Sequence, residues 1–515
     1  MHEWTEMTDP TAPSATESPV ASPVASPVRG SAIRVLLVAA LAFLALLGWA
    51  FASPVGASPD DNFHMTSIWC AQGERAGFCE TGASADQRAV PAEVAWSSAC
   101  YATKPEHSGR CDQPLTGMVN TGHGNFEGLY PPLYYATMSV FVSSDVQTSV
   151  LLMRVFNCLL AVALITAVYL LVDDRLRRPL LWGLALTSVP TGVFLLSSVN
   201  PSGWAILSAT TLWVSLVGFF RAPDLAHRIA LGGLALVSAL MGAGSRGDSA
   251  VFVAFGAVLA AIVAYERSRR YLLMLILPLV TVVIGAAFYL GSNQVGSALD
   301  GEMAGQRPTN VHFVADMLRT LLNIPKLWVG NFGTQALGWG DVVLPAAVWF
   351  IALALYAGVA FWGLSRTRKL STSIATALAG VALVMVPSLI IVQNGVEVGV
   401  LVQPRYILPL QILFLAMILL DNGRVQLAMT GLQRWVIIIG LSLANSIALY
   451  KTFRRFLTGT GYPGIDLNQN VQWWWRGLAV SPDVFWIVGT LAFAALLFFA
   501  SRGLARRPAR DMPAL

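Results

Sequence analysis

Apolar runs of about 17 to 22 residues recur along almost the whole chain, each long enough to cross a bilayer as a helix whose backbone groups satisfy one another. About twelve can be counted, starting near Ile33, Val146, Leu180, Trp204, Ile229, Ser249, Tyr271, Val342, Ser371, Tyr406, Trp435 and Val484. The mean hydropathy of +0.62, with 55% hydrophobic and 12% charged residues, is outside the range of a water-soluble domain of this size. The pattern predicts an all-α integral membrane protein.

Charge sets the expected orientation. Alternate connections carry Arg175, Arg177 and Arg178; Arg221 and Arg228; Arg267, Arg269 and Arg270; Arg366, Arg368 and Lys369; then Arg424 and Arg434. Basic connections stay in the cytoplasm, so an even number of spans predicts both termini inside and the chain in the plasma membrane. The net charge of +5 is made of these short clusters and gives no reason to expect a nucleic-acid partner. The remaining long segments, 53–130, 291–341, 394–405 and 451–483, are then extracytoplasmic, so chemistry is expected on that face.

Residues 1–32 carry a Ser-Pro-Val-Ala repeat too poor in apolar surface to fold, and read as a disordered cytoplasmic tail. Residues 33–500 form the membrane domain, and 501–515 a basic cytoplasmic tail. Val55-Gly56-Ala57 resembles a signal-peptide cleavage site, but the apolar run before it is longer than most signal cores, which favours an uncleaved span. Four of the five cysteines, Cys70, Cys79, Cys100 and Cys111, fall in the first outer loop and suggest two disulfides on an oxidising face. Three pairings are open, and a zinc site is the rival reading.

Asp60 and Asp61 follow the first span directly, with His64 three positions on. Adjacent carboxylates repel unless a cation, a metal or a reacting group relieves them, so the pair reads as a catalytic site. One would serve as general base on an acceptor hydroxyl, while the other, with His64, would orient substrate or hold a divalent metal. Arg405, Arg154, Arg246 and Lys326 are candidate ligands for a donor phosphate, because cations near helix ends on the face of the acids suit an anionic lipid. Helix-end arginines also snorkel to the interface. Pro131, Pro132 and Tyr130, Tyr134 and Tyr135 suggest an interfacial helix that either anchors at the headgroups or contacts sugar, and Trp474 within Trp473-Trp474-Trp475 is a further sugar-stacking candidate. Gly242-Ala243-Gly244-Ser245-Arg246-Gly247 matches a dinucleotide fingerprint by letter, but it ends a membrane helix with no strand before it and is read as accidental.

Pro-Asp-Asp-x-x-His at 59–64, Pro-Pro-Leu-Tyr-Tyr at 131–135, Arg154, Ser198-Val199-Asn200-Pro201-Ser202 and Gln-x-Arg-Tyr-x-x-Pro at 403–409 occur in that order. Together they resemble an uncharacterised family of bacterial multi-pass membrane proteins, domain-of-unknown-function family 2142, itself similar to the GT-C glycosyltransferases. That resemblance implies a GT-C-like architecture and transfer of a sugar from a polyprenyl-phosphate donor to an extracytoplasmic envelope glycan or lipid. It puts the catalytic acids at Asp60 and Asp61. The chain departs from the pattern at Asp61, where relatives usually have Glu, at Pro404, where they commonly have Gly, and at Ser202, where they carry Asp. A transporter and a noncatalytic envelope scaffold are the alternative classes, although no repeat relates the two halves as in many transporters.

Overall fold

The computed structural model describes residues 27–111, 114–293, 313–365, 368–420 and 429–502. The expected tails up to residue 26 and from 503, part of the second outer segment (294–312), and Arg366 and Arg424 lie outside the described residues. Among the described residues, nine helices are long and apolar enough to cross a membrane: Ile33–Phe51, Val146–Leu171, Pro201–Arg221, Leu225–Ala243, Arg269–Leu290, Ala346–Leu364, Leu370–Gln393, Gly431–Thr458 and Pro482–Ser501. Three of the twelve expected starts fall instead on shorter helices, Asp174–Ser188, Gly247–Val263 and Pro404–Leu419, of 15, 17 and 16 residues. At ~1.5 Å per residue these reach about 22 to 26 Å, short of a ~30 Å hydrocarbon core. Helix also begins at Pro27, inside the segment expected to be disordered through residue 32.

Local sequence explains where the helices start. Asp145 caps the Val146–Leu171 helix by accepting the Thr148 N–H, and Asn200 with Pro201 at the first turn opens Pro201–Arg221. Thr430 and Gln433 form a reciprocal capping box for Gly431–Thr458. Pro201–Arg221 is the central helix, with 89% of its apolar window buried, whereas the other long helices leave half or more of theirs facing outward. The first and last membrane helices pack together through Gly48 and Gly489, where a Cβ on Gly48 would stand 3.1 Å from the Gly489 Cα.

The long connections meet at one end of the bundle. Asn293 donates to the carbonyls of Gly128 and Glu127, Tyr134 N–H to Gly244, and Gly109 N–H to Phe456. The first outer segment carries a three-stranded antiparallel sheet (Glu80–Thr81, Arg88–Pro91, Met118–Thr121) in which Arg88 faces Thr121 and Pro91 faces Met118. It contains two disulfides, Cys70–Cys79 and Cys100–Cys111, so its cysteines pair in sequence order. Arg455 stitches this layer together: it donates to the carbonyls of Tyr101, Lys104 and His107 and pairs with Asp341 at 2.7 Å, both side chains 2% exposed.

Candidate functional site

Asp60 takes a left-handed backbone conformation (φ 58°, ψ 22°), uncommon for a residue with a side chain and costly by about 1 kcal/mol or more. The strained turn splits the carboxylate pair. Asp60 projects into a cavity of about 190 Å³. Asp61, first residue of the Asp61–Cys70 helix, is turned inward and fully buried. The bend is braced from beneath by Asn200, whose amide donates to the Pro59 carbonyl at 2.9 Å and the Ser58 hydroxyl at 3.2 Å.

Four segments build the cavity: the Pro59-Asp60 turn, the Thr191–Leu196 helix, the 330–340 segment, and Gln403 to Arg405 at the start of Pro404–Leu419. Leu337 and Val342 exchange backbone hydrogen bonds at 3.1 and 3.2 Å, closing a tight turn that needs Gly338 and Gly340 at φ 64° and 81°. The turn presents Trp339, whose indole N–H donates to the Gly56 carbonyl at 2.8 Å and fastens this wall to the Asp60 segment.

Arg405 Nη2 donates to Asp60 Oδ2 at 2.6 Å and to the Tyr406 hydroxyl at 2.9 Å, and Nη1 bonds Gln403. The guanidinium is largely covered while the Asp60 carboxylate is 44% exposed, so a cation and an anion meet at the cavity wall with the anion open to it. Beside them Arg246 lies 4.3 Å from the Tyr406 ring centre and 5.5 Å from that of Tyr130, held by a two-point bond to Asp248 at 2.9 and 3.0 Å. Tyr406 therefore joins Arg405 to Arg246.

Asp61 accepts the Ser58 N–H at 3.3 Å through Oδ2, while Oδ1 accepts no hydrogen bond from a described residue. Burial raises its pKa to about 7, against the lowering influence of Arg154 and the Ser58 N–H and with a smaller push upward from Asp60. His64 is buried, and its Nδ1 lies 3.0 Å from the Tyr135 hydroxyl. Burial, then the Arg246 and Arg405 charges, hold its pKa well below the usual value, so the imidazole is neutral. Asp61 and His64 thus turn to different partners, and among the described residues no three metal-ligating side chains gather.

The other candidates lie elsewhere. Arg154 is fully buried, its guanidinium donating to the carbonyls of Ala50 and Ser53 at 2.8 and 2.7 Å and of Pro54 at 2.8 Å, where it ties off the end of the first membrane helix. Lys326 is exposed on the Pro325–Val329 helix and does not line the cavity. Tyr134 and Tyr135 are buried, the former edge-on to Trp204 at 5.2 Å, because they lie on the inward face of the Leu133–Met138 helix, whose other face leaves Ala136 exposed. Trp474 is buried against Phe456. Trp339, Gln403 and Tyr406 were not among the expected site residues; a tryptophan set between two glycines in an outer loop was the available signal for the first.

A many-helix membrane protein with a polar cavity at the end of the bundle where its long connections meet is the class these features define. The family model described as "Predicted membrane protein (DUF2142)" matches residues 43–414, and the chain belongs to that family. No curated protein matches it.

Proposed function

We propose that the chain is a GT-C-like membrane glycosyltransferase that moves a sugar from a polyprenyl-phosphate donor to an extracytoplasmic envelope acceptor. The observation that carries this reading is the Asp60–Arg405 pair on the wall of the cavity. A glycosyl transfer from a lipid phosphate needs an open carboxylate to take the acceptor proton and a fixed cation for the departing phosphate. Asp60 and Arg405 are those two groups, already side by side.

In this mechanism the acceptor hydroxyl gives its proton to the Asp60 carboxylate as its oxygen attacks the anomeric carbon. The bond from that carbon to the phosphate oxygen breaks, and the electron pair leaves on the polyprenyl phosphate, where Arg405 balances the developing charge. Arg246, one tyrosine ring away, is neutralised by its two-point bond to Asp248 and braces the Tyr406 ring beside Arg405. Asn200 and Asp61 fix the turn that aims Asp60, and neutral His64 with Tyr135 packs behind it. Arg154 takes no part in phosphate binding in this scheme, because its guanidinium is engaged by three carbonyls.

The test is transfer by purified protein in lipid bilayers, using a panel of radiolabelled polyprenyl-phosphate sugars with envelope glycans. Wild type is expected to transfer label, and folded Asp60→Asn to lose at least about a hundredfold of the rate. Movement of a solute across sealed vesicles, with no donor turned over, would replace this reading with a transporter.

A further inference from the structure

A second cavity, of about 220 Å³, lies within the bundle, between the Ile33–Phe51, Val146–Leu171, Asp174–Ser188 and Pro482–Ser501 helices. Its walls are predominantly Val, Leu, Ala and Phe side chains, and Arg34 and Tyr169 stand at one end. That end is opposite the Asp60 cavity, because the first membrane helix runs from Arg34 to Phe51 and on to the turn that bears Asp60. Cationic side chains gather at this mouth. Arg34 lines it, Arg177 lies 4.8 Å from the Tyr169 ring centre, and Arg502 lies 5.0 Å from the ring centre of the wall residue Phe499. Asp174 pairs with Arg177 at 2.9 Å, so the positive charge of the mouth rests on Arg34 and Arg502.

An apolar slot at membrane depth that ends in guanidinium groups fits an amphiphile with an anionic head. We propose that it holds one acyl chain of an anionic glycerophospholipid whose phosphate rests against Arg34 and Arg502. Chain packing alone gives little selectivity, because surrounding lipid is equally apolar. The selectivity comes from the arginines, each worth about fivefold in affinity for an anionic headgroup. A zwitterionic lipid brings a choline cation along with its phosphate and leaves the two arginines with uncompensated positive charge, and a soluble anion would leave the slot without a chain. This site is independent of the transfer chemistry proposed for Asp60.

The experiment is native mass spectrometry of the delipidated full-length protein after exposure to equimolar phosphatidylglycerol and phosphatidylcholine in mixed vesicles. Wild type should retain phosphatidylglycerol preferentially. The double variant Arg34→Gln/Arg502→Gln should lose roughly twenty-fivefold of that preference. Ala42→Phe, which fills the slot and keeps both arginines, should lose the bound lipid. Equal retention of the two lipids by wild type overturns the proposal without recourse to any variant. So does an undiminished preference in the arginine variant, retention by folded Ala42→Phe, or preferential capture of a polyprenyl phosphate added in competition.

Discussion

Arg405 Nη2 and Asp60 Oδ2 are 2.6 Å apart although the residues are 345 positions apart in the chain. The pair joins the turn after the first membrane helix to the start of the Pro404–Leu419 helix, and it couples the proposed base to the proposed phosphate ligand. Before substrate arrives, each neutralises the other. A donor phosphate that takes over Arg405 would release the Asp60 carboxylate beside the acceptor, so the base becomes free when the donor is in place.

The two partners should therefore respond in opposite directions when phosphate binding is measured. Arg405→Ala is expected to weaken binding of a polyprenyl phosphate and lower kcat/KM by about a hundredfold, near 2.7 kcal/mol. Asp60→Asn removes the competing anion and should bind the same lipid several-fold more tightly while transferring no sugar. Equal weakening by both substitutions, read by fluorescence titration with a labelled polyprenyl phosphate, would reduce the pair to a structural strut.

Asn200 connects the central helix to the Asp60 turn. Its Oδ1 caps the Ser202 N–H at 2.9 Å while its amide holds Ser58 and Pro59. Asn200→Ala loses a helix cap and two hydrogen bonds, about 2 to 3 kcal/mol in all. Since Arg405 is untouched, kcat should fall while KM for the donor stays within about twofold. A rise in KM with kcat intact would mean that Asn200 acts on the donor itself.

Arg154 should behave differently from Arg405 despite the same charge. Its three carbonyl partners and complete burial make Arg154→Gln destabilising by about 3 kcal/mol or more, visible as a lower melting temperature and yield. The fraction that folds should keep the donor KM of wild type. A stable variant with a raised KM would return Arg154 to the phosphate site.

Hydropathy made the helical membrane class legible, because periods of apolar sequence report directly on the bilayer. Among the described residues it located the starts of the nine long helices to within about five residues but could not distinguish full spans from shorter helices such as Asp174–Ser188, whose apolar stretch continues past the helix end into Thr191–Leu196. Asp60 was legible because two adjacent carboxylates repel where an apolar run ends, and Arg405 because it is a cation at a helix end on the same expected face. Their pairing was not, since nothing local encodes a contact between distant segments. The opposite fates of Asp60 and Asp61 were equally hidden: they depend on one residue adopting positive φ, a conformation set by the surrounding packing. Cysteine spacing announced the disulfides, and only the fold resolved the pairing.

Asp61 offers a prediction that does not depend on substrate. Its folded-state pKa of about 7 lies above the ordinary value of 3.8, because burial disfavours the charged form. Between those values the folded protein holds a proton that the unfolded chain has released, so stability falls as pH rises from about 4 to about 7 and levels off above. The full swing is on the order of 4 kcal/mol. Asp61→Asn keeps the shape and an acceptor for the Ser58 N–H but cannot ionise. Its melting temperature should match wild type near pH 3.5, below the unfolded pKa, and exceed it at pH 8. A wild-type melting temperature that rises across this window, with Asp61→Asn rising in parallel, would show that Asp61 is ionised in its buried place and that Arg154 outweighs the cost of burial.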